Sequence, residues 1–130
     1  MSDEKLAVEI VANSVYLTTA TCTENLPWIA PTMFWMDDAQ HFYIVSAAGS
    51  RHVQHLQVNP HAAVSIYDST QSEGTGRGLQ FGASAVILST PDAMATAAAW
   101  LEQRLPSATG DENFGSKTAD RWQANGRVVV

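Results

Sequence analysis

The 130-residue chain predicts a mainly β domain, an antiparallel barrel of five or six strands with peripheral helices. Three observations predict it. Runs of β-branched and aromatic residues recur across positions 15–88, and short hairpin-type turn signals separate most of them. Helical spacing of apolar residues is confined to the two ends and to one short stretch in the middle.

At the N-terminus, Ser2 or Asp3 caps a helix in which Leu6, Ile10 and Asn13 line one side. Ala7, Val8 and Val11 widen its apolar face, enough to cover one end of a barrel. Val15 to Thr23 is a strand rich in threonine, and Glu24-Asn25-Leu26-Pro27 is the turn into a second strand from Trp28 to Trp35. Asp37-Asp38-Ala39-Gln40 makes the next hairpin turn. In the third strand Phe42, Ile44 and Ser46 alternate with Tyr43 and Val45, and Ala47, Ala48 and Gly49 end it with room for close backbone approach. Ser50 then stands at an N-cap position before a short helix from Arg51 to Val58. Asn59-Pro60 stops that helix, because the residue before a proline is pushed out of the α region.

Ala62 to Tyr67 is the fourth strand, and Asp68 to Gly78 is a polar, glycine-bearing loop expected to be mobile over a ligand. Leu79 to Leu88 is a long strand in which Gly82 permits a bend or a bulge. Thr90 caps and Pro91 opens a tail helix, with Met94, Ala97, Ala98, Leu101 and Leu105 at helical spacing until Pro106. Residues 107–117 are expected to be loop, and Arg127 to Val130 a last strand in need of a neighbour. With no internal repeat and no second core, residues 1–130 make one domain.

Composition excludes several functions. The net charge is −6, and seven Lys and Arg are spread along the chain, so there is no concentrated basic face for nucleic acid or an anionic membrane. No apolar run is long enough to span a bilayer and the N-terminus lacks a signal-peptide pattern, so the expected location is the cytoplasm. A single cysteine, Cys22, excludes an internal disulfide and is read as a small core residue. Charged residues are only 15% of the chain, which points to an oligomer.

A turn carrying Ser50 and Arg51 at a helix start, fed by a strand carrying Ser46, is a site for a phosphate or carboxylate. The same residues also read as an ordinary cap and a solvated first-turn arginine, and the residues alone leave both readings open. His52 and His55 share a helix face but lack a third ligand, so no metal site is expected. His41 and His61 are expected at the surface, while Trp28, Trp35 and Trp100 are read as core. No Ser-His-Asp arrangement and no phosphate-cradling glycine loop carries a local motif.

The run Val45-Ser46-Ala47-Ala48-Gly49-Ser50-Arg51-His52, the later Asn59-Pro60, and the strand Trp28 to Trp35 followed by an Asp-Asp turn resemble the FMN-binding split-barrel superfamily. These are pyridoxamine 5'-phosphate oxidase-like and general stress protein-like small flavoproteins, and the likeness runs from about Val15 to about Leu88. It implies a six-stranded antiparallel split β-barrel of Greek-key type with peripheral helices, and a homodimer with FMN at its interface. By the same resemblance Ser46, Ser50 and Arg51 approach the phosphate, and His52 takes a position that is lysine in the oxidase. Pro31, Thr32 and Met33 run beside the flavin ring, and Gln80 stands on a strand that often supplies a glutamine near it. Two cation positions of the oxidase fall on Ala30 and Trp35, and its substrate-binding region has at most a distant counterpart in Arg121 and Trp122, so oxidation of a vitamin B6 phosphate is not expected.

The function implied is an FMN-dependent oxidoreductase acting with a small-molecule electron donor or acceptor, with no catalytic side chain named. The alternative is a non-catalytic dimeric barrel that binds another planar cofactor, a deazaflavin or a heme ligated by His52, His55 or His61, or none.

Overall fold

The structure is a computed structural model that describes residues 2–104, 120, 122 and 126–130. Its first helix, α1 (Asp3–Ala12), starts where Ser2 Oγ accepts from the Lys5 backbone N–H at 3.3 Å. Two strands follow, β1 (Tyr16–Thr23) and β2 (Leu26–Met36). They are joined by Glu24 and Asn25 alone, both at positive φ (52° and 61°). Such a two-residue turn matches the twist of the strands it joins. The expected four-residue turn is therefore too long by half: Leu26 already pairs with Thr23, and Pro27 with Cys22.

Asp37 organises the next turn. Its carboxylate accepts from the backbone N–H groups of Ala39 and His41 at 2.9 Å each, from the Tyr43 hydroxyl at 2.9 Å, and contacts His41 Nδ1 at 2.8 Å. Beyond it come β3 (Phe42–Ala47), α2 (Arg51–Val58), β4 (His61–Tyr67), β5 (Gly78–Ser84), α3 (Pro91–Arg104) and β6 (Arg127–Val129).

The strands form one antiparallel sheet in the order β5-β4-β1-β2-β3-β6. Closure comes from Leu88, whose N–H donates to Val129 O at 2.7 Å and whose carbonyl accepts from Val129 N–H at 3.2 Å. The expected strand over 79–88 is thus divided. Its first part pairs with β4 in unbroken register from Gly78 to Ser84, with no bulge at Gly82, and the chain then leaves β4 so that Leu88 can meet β6. One segment pairs with β4 and then meets β6 at a single bridge, so the sheet curls back on itself.

Leu17, Phe34, Ile44, Val64 and Ile66 fill the interior, and Val11 of α1 covers one end. Phe42 bridges Phe34 and Phe81, with ring centroids 5.7 and 5.0 Å away. On the outside, Met94, Ala97, Ala98 and Leu101 of α3 pack on Trp35 and Val129. The small alanines let the helix approach until Trp35 Nε1 donates to Ala97 O at 2.9 Å. Arg104 ties α3 to α1 by donating to the carbonyls of Val11 and Ser14 at 3.3 and 2.6 Å. Leu105 and the expected loop at 107–117 lie outside the described residues.

The loop between β4 and β5 is closed by a side chain. Gln71 Nε2 donates to the carbonyls of Asp68 and Arg77 at 2.7 and 3.0 Å, and its Oε1 accepts from Arg77 N–H at 2.7 Å. Arg77 also faces Glu9 of α1 at 4.0 Å. Among the described residues no helix is long and apolar enough to cross a membrane.

The Asp37 turn makes stability depend on acid. Burial raises the carboxyl pKa, but the hydrogen bonds from His41 and Tyr43 outweigh it and hold the group at about 2, below its ordinary 3.8. A depressed carboxyl contributes stability that is complete above the unfolded-state pKa and is lost as pH falls through the folded one. The stability gap between the wild type and Asp37→Asn should therefore hold steady above pH ~5 and shrink by roughly 1 kcal/mol between pH ~4 and ~2, the surface turn being partly screened. Urea unfolding at a series of pH values measures it, and a gap independent of pH in that window contradicts this role for Asp37.

Candidate functional site

The ladder between β2 and β3 is short. Only Phe34–Ile44, Trp35–Tyr43 and Met36–Phe42 pair, although β2 runs back to Leu26 and β3 on to Ala47. From Val45 onward β3 instead pairs with β6 on its other side, Val45 with Val129 and Ser46 with Val128. The two strands therefore diverge, leaving a split whose walls are residues 29–33 of β2 and residues 45–47 of β3.

The β2 wall offers backbone groups. Phe34 N–H donates toward β1, to Val15 O at 3.1 Å, and backbone groups alternate sides along a strand. The N–H groups of Ile29 and Met33, and the carbonyls of Ile29, Pro31 and Met33, accordingly face the split. Pro27 and Pro31 fall on this same edge, where a paired neighbour would need the N–H that proline lacks. Thr32 points its side chain to the other face, and its Oγ1 is buried with no hydrogen-bond partner among the described residues. Were the ladder to continue by two more pairs, Thr32 would stand opposite Ser46.

The other end of the split is closed by α2. Ser50 has the extended N-cap backbone (φ −66°, ψ 151°), but its hydroxyl donates back to Ala47 O at 2.8 Å and caps no amide. The first turn of the helix thus lacks a side-chain cap. Arg51 is exposed at that turn with its guanidinium carbon 4.1 Å from the centre of the Trp28 ring. Among the described residues it meets no carboxylate within 4.0 Å. Trp28, expected in the core, is 41% exposed beneath it.

Three hydrogen bonds fix the helix to the barrel. Ser46 Oγ and His52 Nε2 share one of 2.7 Å, both residues being buried. His55 Nδ1 and Thr21 Oγ1 are 2.9 Å apart, and Asn59 Nδ2 donates to Cys22 O at 3.0 Å. Burial, with a smaller effect of the neighbouring His55, lowers the pKa of His52 and favours its neutral ring. His52 and His55 turn to different partners, although they share a helix face.

Of the residues singled out from the sequence, the structure brings Pro31, Thr32 and Met33 to one wall of the split and Ser50 and Arg51 to its end. Ser46 and His52 meet each other below the rim. Gln80 lies elsewhere. By register, Pro31, Thr18, Ser65 and Gln80 form a row across the outer face of β2, β1, β4 and β5, so Gln80 stands three strand spacings, roughly 14 Å, from Pro31. Ala30 faces inward opposite Thr19, and Trp35 is committed to α3, so neither position offers a cation. Trp122 is buried against Trp35 with ring centroids 5.8 Å apart, while Arg121 lies outside the described residues.

The outer face around that row is uncovered. Tyr16, Ile29 and Tyr67 are 64, 65 and 60% exposed, around a floor of Ala20, Ala63 and Gly82. A groove of about 500 Å³ crosses it, lined by Thr18, Ala20, Ile29, Ala63, Ser65 and Gln80 among others. A different concavity, about 630 Å³, opens between α1, α3 and Phe81 at the other end of the barrel and touches none of the split residues.

Trp28 is the residue that sequence reasoning missed. Its signal was the two-residue turn at Glu24-Asn25, which sets Trp28 opposite Thr21 and hence under α2.

Comparison with known proteins places this architecture. No protein of curated function matches the chain. Among solved structures, a conserved hypothetical protein of Mycobacterium tuberculosis shares 22% identity, with a TM-score of 0.76 over 99% of this chain and 78% of its own. The heme storage protein HutZ of Vibrio cholerae is 18% identical, again with a TM-score of 0.76, over 99% of this chain and 87% of its own. An FAD-binding protein of Mesorhizobium loti is 16% identical, with a TM-score of 0.66, over 99% of this chain and 86% of its own. At these identities the likeness is one of fold, the split barrel. The family model described as pyridoxamine 5'-phosphate oxidase matches residues 3–128, and the chain belongs to that family.

Proposed function

We propose that this protein binds flavin mononucleotide in the split between β2 and β3 and serves as a small oxidoreductase in which two copies share each site. The observation that carries the reading is that, among the described residues, the β2 edge is unpaired, the Thr32 hydroxyl behind it has no partner, and the arginine it leads to faces no carboxylate. A flat ring with polar edges suits the first, and a phosphate suits the second. The similar FAD-binding protein of Mesorhizobium loti is in keeping with a flavin.

In this reading the Met33 N–H and the Pro31 carbonyl hydrogen-bond the ring edge. Arg51 pairs with the phosphate, joined by Ser50 and the uncapped amides of α2. Ser46 and His52, bonded to each other, hold the first turn of α2 against β3 and so set the height of that anion site. When bound, the flavin supplies the electron transfer, and the protein supplies binding, orientation and shelter from water. Gln80 is too far from the split in its own subunit and reaches a flavin only in a second copy docked on the exposed outer face.

A heme reading has one observation in its favour. His61 is an exposed histidine on the outer face whose ring makes no hydrogen bond among the described residues, whereas His52 and His55 each have a ring nitrogen engaged. HutZ, of the same fold, is a heme storage protein. The visible spectrum separates the two readings, as a retained two-band flavin absorption after FMN is added and the excess removed, or as a sharp Soret band after heme.

Two outcomes are expected. Arg51→Ala should weaken FMN binding by ~10- to 100-fold, the worth of a charge-assisted hydrogen bond, and leave riboflavin binding unchanged. Fluorescence titration measures both, and equal FMN affinity in the variant and the wild type places the phosphate elsewhere. Ala63→Arg, a charge set into the middle of the outer face, should convert a dimer to folded monomers and weaken FMN binding with it. Sedimentation reads the mass, and a variant that stays dimeric shows that this face is not the one shared.

A further inference from the structure

We infer that Trp28 is a positioning residue for phosphate recognition, a ring on which the Arg51 guanidinium is held before the ligand arrives. The inference rests on the flavin-phosphate reading above and adds to it the side chain that holds its arginine in place.

Arg51 stands alone. The positions where the oxidase carries two further cations hold Ala30 and Trp35, and His52 is turned inward to Ser46. A free arginine at an exposed helix start is a poor anchor, because ordering its long side chain costs rotamer freedom. Trp28 gives that side chain a seat. Its ring centre lies 4.1 Å from the guanidinium carbon, within the range of a favourable cation–π contact, and tryptophan is the strongest partner of this kind. A guanidinium seated over a ring keeps its N–H groups for an anion, whereas a carboxylate partner would occupy them.

The platform is itself rigid. Trp28 pairs with Thr21 across the β1–β2 ladder, and Thr21 Oγ1 bonds His55 Nδ1, one helical turn beyond Arg51. Arg51 and His55 are therefore on one face of α2, and Trp28 and Thr21 are their two neighbours on the hairpin. The two-residue turn at Glu24-Asn25 leaves no slack between them. At 41% exposure, Trp28 is not a core residue whose replacement collapses the barrel.

The test compares FMN with riboflavin, which differ only by the phosphate. In the wild type FMN should bind more tightly. Trp28→Leu should lose about 3- to 10-fold in FMN affinity with riboflavin affinity unchanged, and Trp28→Tyr and Trp28→Phe should fall between, in that order. These aromatic variants keep the question answerable if the leucine variant does not fold. Unchanged FMN affinity across the series overturns the inference, as does an equal loss for both ligands, which marks a wall of the ring site or a structural role. A wild type that binds FMN no better than riboflavin overturns the phosphate reading and this inference with it, whereas a wild-type preference that survives in every Trp28 variant overturns this inference alone.

Discussion

The feature on which the rest of the molecule depends is the change of partner along β3. Over Phe42–Ile44 this strand completes a ladder with β2, and over Val45–Ala47 it completes one with β6. Ile44 does both, exchanging hydrogen bonds of 3.0 and 2.8 Å with Val130. The two ladders use opposite edges of β3, so they can coexist, as Ile44 shows, and it is the β2 ladder alone that ends there. The barrel closes at Leu88 and Val129 and opens at residues 29–33. Closure is made along one edge of β3 and the split opens along its other edge.

The outside of the barrel is divided accordingly. Over Trp35, Val129 and their neighbours, α3 covers the sheet with an alanine-rich face. Over β5, β4, β1 and the first half of β2 nothing among the described residues covers it, and Tyr16, Ile29 and Tyr67 stay in solvent. Apolar side chains on a flat, small-residue floor are the composition of a surface that another protein surface covers. In the flavin reading, one subunit contributes the split and the other its outer face. That arrangement answers the size problem of a 130-residue domain, since each subunit then walls only one side of the ring.

Much of this was legible in the sequence where local chemistry decides the outcome. Ser2, Thr90-Pro91 and Asn59-Pro60 mark helix ends, and the alternation of Phe42, Ile44 and Ser46 marks a strand, through forces that act within a few residues. The strand–turn–helix placing Ser50 and Arg51 together was legible for the same reason. Partner exchange was not, because nothing in Leu79–Leu88 records where it leaves β4, and nothing in Phe42–Ala47 records where it leaves β2. Leu26-Pro27 read as a turn because proline usually marks one, and here the proline marks an unpaired strand edge. Trp28 read as core by size alone, when its neighbour is a cation one element away. Ser46 and His52 appeared as two ligand contacts, and they contact each other.

The central claim is that the split itself is the binding site. Backbone amide spectra recorded by NMR with and without FMN test it most directly. The account predicts that the largest changes fall on Thr32, Met33, Ser50, Arg51 and His52, with a second set at Gln80 and its neighbours on the outer face. Changes concentrated instead on Val8, Val11 and Phe81, around the concavity at the other end of the barrel, would contradict it.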